Sequence, residues 1–140
     1  MNYSEKKYNK RLLIVDDEID VLDFLKIYLS SLGWEVTTAS TIPEAFDELD
    51  ANVFFLVITD IAMPEMDGHE FISKLREKKI PSEVALMTGF GYNPKHTLVK
   101  IYKTVKYPCL FKPFNRVKVA ETVQAAWDRY HEHVSREADG

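Results

Sequence analysis

Asp16, Asp17, Asp60, Thr88 and Lys112 each follow closely on a short apolar run, and together they offer three carboxylates, a hydroxyl and an ammonium. The stretch "RLLIVDDEID" poses the problem, because four apolar residues run into Asp16, Asp17 and Glu18. Like charges a few ångströms apart repel, and each loses water if the end of the run is enclosed. Three aspartates in one crevice need a cation. Hard oxygen ligands that leave room for water and a phosphoryl oxygen suit Mg²⁺, and no His/Cys cluster argues for a transition metal. Lys112 adds a second positive charge, and the Thr88 hydroxyl can donate to an anionic oxygen. Carboxylate, Mg²⁺, ammonium and hydroxyl are the equipment for moving a phosphoryl group onto an aspartate. Taken singly, each residue has a plainer reading. The Asp16-Asp17 pair can be a helix cap and a solvated neighbour, Thr88 can hydrogen-bond a turn, and Lys112 can decorate a surface.

Convergence depends on the elements that carry these residues. "LLIV" (12–15), "VFFLVI" (53–58) and "VALM" (84–87) read as strands buried on both faces of a parallel sheet. "WEVTTA" (34–39) alternates as a less buried strand, and "CLF" (109–111) is a short last one. Helical stripes lie between them. Leu22, Leu25, Leu29 and Leu32 stop at Gly33. Thr41 and Glu44 form a capping-box pattern, and Asp67-Gly68 opens the helix of Phe71, Ile72 and Leu75. Asn93-Pro94 is expected to open a fourth helix with Leu98, Ile101, Tyr102 and Val105 on its inner face. Asn115 opens the last, with Val119, Val123, Ala126 and Tyr130 or Trp127 buried. Five strands, each followed by a helix, predict a single doubly wound (βα)5 domain with a five-stranded parallel sheet. Ligands in such folds sit beyond the carboxyl ends of the strands, where these five residues fall. Residues 1–9 are expected to be a polar N-terminal extension, 10–130 the domain, and 131–140 a polar tail that includes His131 and His133.

The 140 residues carry a net charge of -4, which argues against direct nucleic-acid binding. No apolar run reaches the length of a membrane span, and no signal peptide follows the polar start. The lone Cys109 excludes an internal disulfide. A cytoplasmic location is the default expectation.

The set "VDDE", "TDIAMPEMDG", "MTG" and "FKPF", in that order, is similar to the receiver domain of two-component response regulators over roughly residues 10 to 130. The resemblance implies a flavodoxin-like fold and an Mg²⁺-dependent switch, not an enzyme with turnover beyond self-catalysed transfer and slow self-hydrolysis. Asp60 would accept a phosphoryl group from a sensor histidine kinase or histidine phosphotransfer protein. Asp17 would bind Mg²⁺ directly and Asp16 through water, with Asp60 and the backbone carbonyl of Ala62 as further ligands. Lys112 would pair with Asp60 or the phosphoryl group, Thr88 would swing toward it, and the Lys112-Pro113 peptide would be cis. A homodimer through the fourth helix, fifth strand and last helix is left open, and the downstream target is unspecified. No output domain is expected after residue 130, so the chain works alone or is a piece of a longer regulator or hybrid kinase.

The sequence departs from the family where Cys109 takes the usual position of the switch aromatic, with Tyr107 two residues earlier. Ala62 offers no polar group to position water, and Phe90 is large enough to shield the site. Slow loss of the phosphoryl group is therefore expected. Two rival readings remain: a receiver-like binding module that works without phosphorylation, and an Mg²⁺-dependent aspartyl-phosphate phosphohydrolase. The second needs an acid/base carboxylate where Ala62 stands.

Overall fold

Runs of Leu, Ile and Val too apolar to face water on either side must be covered twice, and helices on both faces of a sheet do this. The computed structural model of the chain describes residues 9–89 and 107–139. In chain order the elements are β1 (Arg11–Val15), α1 (Ile19–Ser31), β2 (Glu35–Ala39), α2 (Ile42–Ala51) and β3 (Leu56–Asp60). They continue with α3 (Gly68–Glu77), β4 (Glu83–Thr88), β5 (Cys109–Phe111) and α4 (Arg116–Asp139). The five strands form one parallel sheet in the order β2-β1-β3-β4-β5. The order reverses between β1 and β3, so their carboxyl ends flank the crevice where doubly wound sheets bind ligands. The helix expected after Asn93 lies outside the described residues, as do Phe90 and the lysines at 95, 100, 103 and 106.

Strand alternation divides the core into two layers. Leu12, Ile14, Leu56, Ile58, Met87 and Leu110 pack against α1 and α4 through Leu22, Leu25, Leu29, Val119, Val123, Ala126 and Tyr130. Leu13, Val15, Val57, Val84 and Leu86 pack on the other face against Ala45, Leu49, Phe71, Ile72 and Leu75 of α2 and α3. The helix starts follow the capping signals. Thr41 Oγ1 accepts from Glu44 N at 3.2 Å, Asp67 from Glu70 N at 2.9 Å, and Asn115 Oδ1 from Lys118 N at 3.1 Å. Glu44 Oε2 reaches back to Ser40 N at 2.9 Å, one residue before the position a capping box uses. Gly33 ends α1 with φ +98°, a conformation that costs glycine least. Among the described residues no helix is long and apolar enough to cross a membrane.

Three expectations are corrected. The ladder of β3 begins at Leu56 and not at Val53; Phe54 and Phe55 are buried ahead of it, while Val53 is exposed. Leu32 is no part of the α1 stripe, because it is the C-cap and faces outward. The expected tail from 131 is helical, since α4 continues to Asp139. No glycine or proline interrupts residues 131–139, and His131 turns inward. Its ring lies 4.2 Å from that of Trp127 and 5.3 Å from that of Tyr130, centroid to centroid. Asn9 is tied to the domain as well: its carbonyl accepts from Trp127 Nε1 at 3.1 Å, and its side chain donates to Val53 O at 3.0 Å.

Leu25 is fully buried between α1 and the sheet. Leu25→Ala is expected to lower unfolding stability by about 2–5 kcal/mol in urea denaturation. His131→Ala should cost about 1–2 kcal/mol in the same assay, from lost ring packing; a change within error would return residue 131 to the tail.

Candidate functional site

The alternation that builds the α1/α4 layer also aims the site. Leu12 and Ile14 lead to Asp16, Leu56 and Ile58 to Asp60, and Leu110 to Lys112, so three polar side chains continue three apolar rows past the ends of their strands. They meet there. Lys112 Nζ lies 2.8 Å from Asp60 Oδ2 and 2.7 Å from Asp16 Oδ2. It also lies 3.0 Å from Glu18 Oε1. Lys112 N donates to Thr88 O at 2.8 Å, which anchors the lysine backbone to the end of β4, and the Lys112-Pro113 peptide is cis.

The two central carboxylates are held by backbone donors. Ala62 N donates to Asp60 Oδ1 at 2.8 Å, and Glu18 N donates to Asp16 Oδ1 at 2.9 Å. Ile61 O accepts from Gly68 N at 2.9 Å, and Ala62 bridges to Asp67, so the loop after β3 folds back on itself and fixes Ala62. Asp17 is exposed, yet it offers a carboxylate oxygen within 4.8 Å of oxygens from Asp16 and Asp60. At that separation each pair of charges repels by about 3 kcal/mol for an effective dielectric constant near 20. Among the described residues three carboxylates contact the ammonium of Lys112 and a fourth, that of Asp17, lies beside them, so this lysine alone leaves the cluster negative.

Burial forces the Asp16 carboxyl up to about 6 against the partial relief given by Lys112 and the Glu18 amide. Burial alone would lower the Lys112 ammonium, but Asp16, Asp60 and Glu18 outweigh it and raise the group above its ordinary value. The lysine therefore stays charged throughout the physiological range.

The residues fit a hard divalent cation. Asp16 Oδ2 is fully buried and has no hydrogen-bond donor among the described residues; its contact with Lys112 is an ion pair outside hydrogen-bond angles. An oxygen desolvated without a directed donor suits a point charge, and the donor set is all oxygen.

Of the residues singled out in the sequence, Asp16, Asp17, Asp60 and Lys112 come together, with Ala62 hydrogen-bonded to Asp60. Thr88 is buried at the end of β4 and joins the cluster through its backbone; it follows the parity of Val84 and Leu86, on the α2/α3 side. Cys109 is half-buried on that side beside Tyr107, because Leu86 N still donates to Pro108 O at 2.8 Å and keeps the chain extended. Burial pushes the Cys109 thiol up to about 11. Glu18 was not singled out, although the third acid of "VDDE" was the available signal.

A search of protein families matches the chain to the response regulator receiver domain over residues 12–124. The transcriptional regulatory protein SrrA of Staphylococcus aureus is 31% identical over 117 residues, covering 84% of this chain and 47% of that protein. The alkaline phosphatase synthesis transcriptional regulatory protein PhoP of Bacillus subtilis is 32% identical over 81 residues, covering 58% of this chain and 34% of that protein. The chain thus spans less than half the length of either relative. Among solved structures, a CheY-like response regulator receiver domain protein from Methanospirillum hungatei superposes with TM-score 0.76 at 27% identity, covering 89% of this chain and 98% of that one.

Asp16 also makes a stability prediction. Its carboxyl titrates near 6 when folded and near 3.8 when unfolded, so between those values the folded chain holds a proton the unfolded chain has lost. The group's contribution to stability therefore falls as pH rises through that window. In chelator, Asp16→Asn is expected to match the wild type below about pH 4 and to exceed it by on the order of 1–3 kcal/mol above pH 7. Urea melts across pH check this; an equal or less stable variant at pH 7 would contradict it.

Proposed function

The chain belongs to the response regulator receiver domain family, and from that premise we propose that it is a phosphorylation-dependent switch with Asp60 as its phosphoacceptor. Receiver domains are signalling domains rather than turnover enzymes, and the side chain of Ala62 offers no acid or base two residues after Asp60. The proposed donor is a phosphohistidine on a sensor histidine kinase or histidine phosphotransfer protein, in the cytoplasm. The observation that carries this reading is the ammonium of Lys112 within 2.8 Å of Asp60 Oδ2 and 2.7 Å of Asp16 Oδ2 at the carboxyl ends of three strands.

The residues divide the work. An Asp60 oxygen attacks phosphorus, the P–N bond of the donor breaks, and the imidazole leaves with its own proton. Ala62 N–H holds one Asp60 oxygen at 2.8 Å, which fixes the carboxylate plane before attack. Lys112 is already charged and within one hydrogen bond of the acceptor, so it can pass to the phosphoryl oxygens without travelling. Asp16, Asp17, Asp60 and the Ala62 carbonyl are the proposed Mg²⁺ ligands. The ion, when bound, supplies the charge that neutralises the phosphoryl oxygens. Thr88, one register step beyond Asp60, is the group proposed to donate to the new dianion and draw its loop inward. Self-hydrolysis is proposed to be slow, since Ala62 cannot orient water.

Incubation with a histidine kinase or a small phosphodonor in Mg²⁺ should label the wild type, and chelator should abolish labelling. Asp60→Asn should take no label; retained label would refute the assignment. Lys112→Met should slow labelling at least about tenfold while binding Mg²⁺ no more weakly, because the ammonium no longer competes for Asp16 and Asp60. Metal titration followed by transfer kinetics reads both effects.

A further inference from the structure

Glu18 does two unusual things at once. It is the N-cap of α1, yet its side chain accepts no hydrogen bond from the helix, although an N-cap side chain is the usual acceptor for the first turn. That carboxylate instead reaches across the crevice to Lys112 Nζ at 3.0 Å. An ammonium has three N–H donors; Lys112 gives one each to Asp60 and Glu18 and lies against Asp16 as an ion pair, so three carboxylates crowd it.

We infer that Glu18 is a positioning residue that competes with the incoming phosphoryl group for Lys112 and must release the lysine when Asp60 is modified. The inference rests on the switch reading above. A phosphoryl group on Asp60 inherits the Lys112 donor that Asp60 holds and brings further oxygens that compete for the rest of the ammonium, so Asp16 or Glu18 has to yield. Exposure decides which. The Asp16 side chain is 0% exposed and that of Asp60 12%, whereas that of Glu18 is 61% exposed. Water can take over the hydrogen bonds of Glu18 at once, while a released Asp16 would be left charged and dry. Until it yields, Glu18 both occupies the donor and sets a negative charge at the mouth of the site. Its removal should favour the phosphorylated geometry, the reverse of what loss of a supporting strut would do.

The test is Glu18→Gln in the full chain, with beryllofluoride as the phosphoryl mimic, Mg²⁺ in excess, and bound ligand read by ¹⁹F NMR. The expected result is binding about three- to tenfold tighter than wild type at low salt. The gain should narrow to within about twofold at 1 M salt, because the competing charge is exposed and screened. Unchanged or weaker binding would overturn the inference and make Glu18 a support for the lysine. A gain that persists undiminished at high salt would overturn it too, since packing and not charge would then be its source. A wild type that binds no beryllofluoride in Mg²⁺ would sink the switch reading itself, a failure readily told apart from the other two.

Discussion

An ammonium wedged among carboxylates is the interaction on which the carboxyl-terminal edge of this sheet depends. A buried aspartate such as Asp16 costs several kcal/mol if left uncompensated, and mutual repulsion adds to this. Lys112 offsets part of both penalties, and two backbone amides offset more. The compensation stops short of neutrality: among the described residues four acids share the crevice with one base, and burial still pushes the Asp16 carboxyl up to about 6. That residual imbalance is what a divalent ion can relieve. A site already neutral would have little to gain from such an ion, and the stability lost to mutual repulsion is the cost of keeping it open.

The rest of the fold sets distances. β1 and β3 are hydrogen-bonded neighbours, which brings Asp16 and Asp60 side by side; β5 sits two strands from β3, and the long stem of Lys112 spans the gap under Gly89. Beyond the lysine, Phe114 stacks on Phe24 of α1 at 6.3 Å, and Arg116 lies over the rings of Phe24 and Tyr28 at 5.9 Å. Tyr28 OH donates to Arg116 O at 3.0 Å. These contacts bind the loop after β5 to the helix that starts just after the acidic pair, so the two walls of the crevice are fastened together from outside.

Much of this was legible in the order of residues. Unbroken apolar runs gave the buried strands, helical stripes and caps gave the helices, and the chemistry-bearing types fell just past the runs. What local pattern could not give was anything decided by tertiary contact. Phe54 and Phe55 are as apolar as the strand they precede, and only the ladder shows where pairing begins. Residues from His131 onward are polar enough to pass for a tail, but ring packing on Trp127 buries His131 and the helix continues past it. Glu18 reads as one more charge at a helix start until Lys112 is seen to claim it. Tyr107 and Cys109 share a face because pairing persists through Pro108.

Asp16, Asp60 and Lys112 inherit their direction from the residues two places earlier in each row. The odd-even count along a strand is therefore part of the chemistry. Adding or deleting one residue inside β1, β3 or the start of β5 would send the polar end of that row to the opposite side of the sheet, even if every apolar position found a substitute partner. Loops at the amino ends of the strands can lengthen without touching the crevice, but the strands are confined to changes in steps of two.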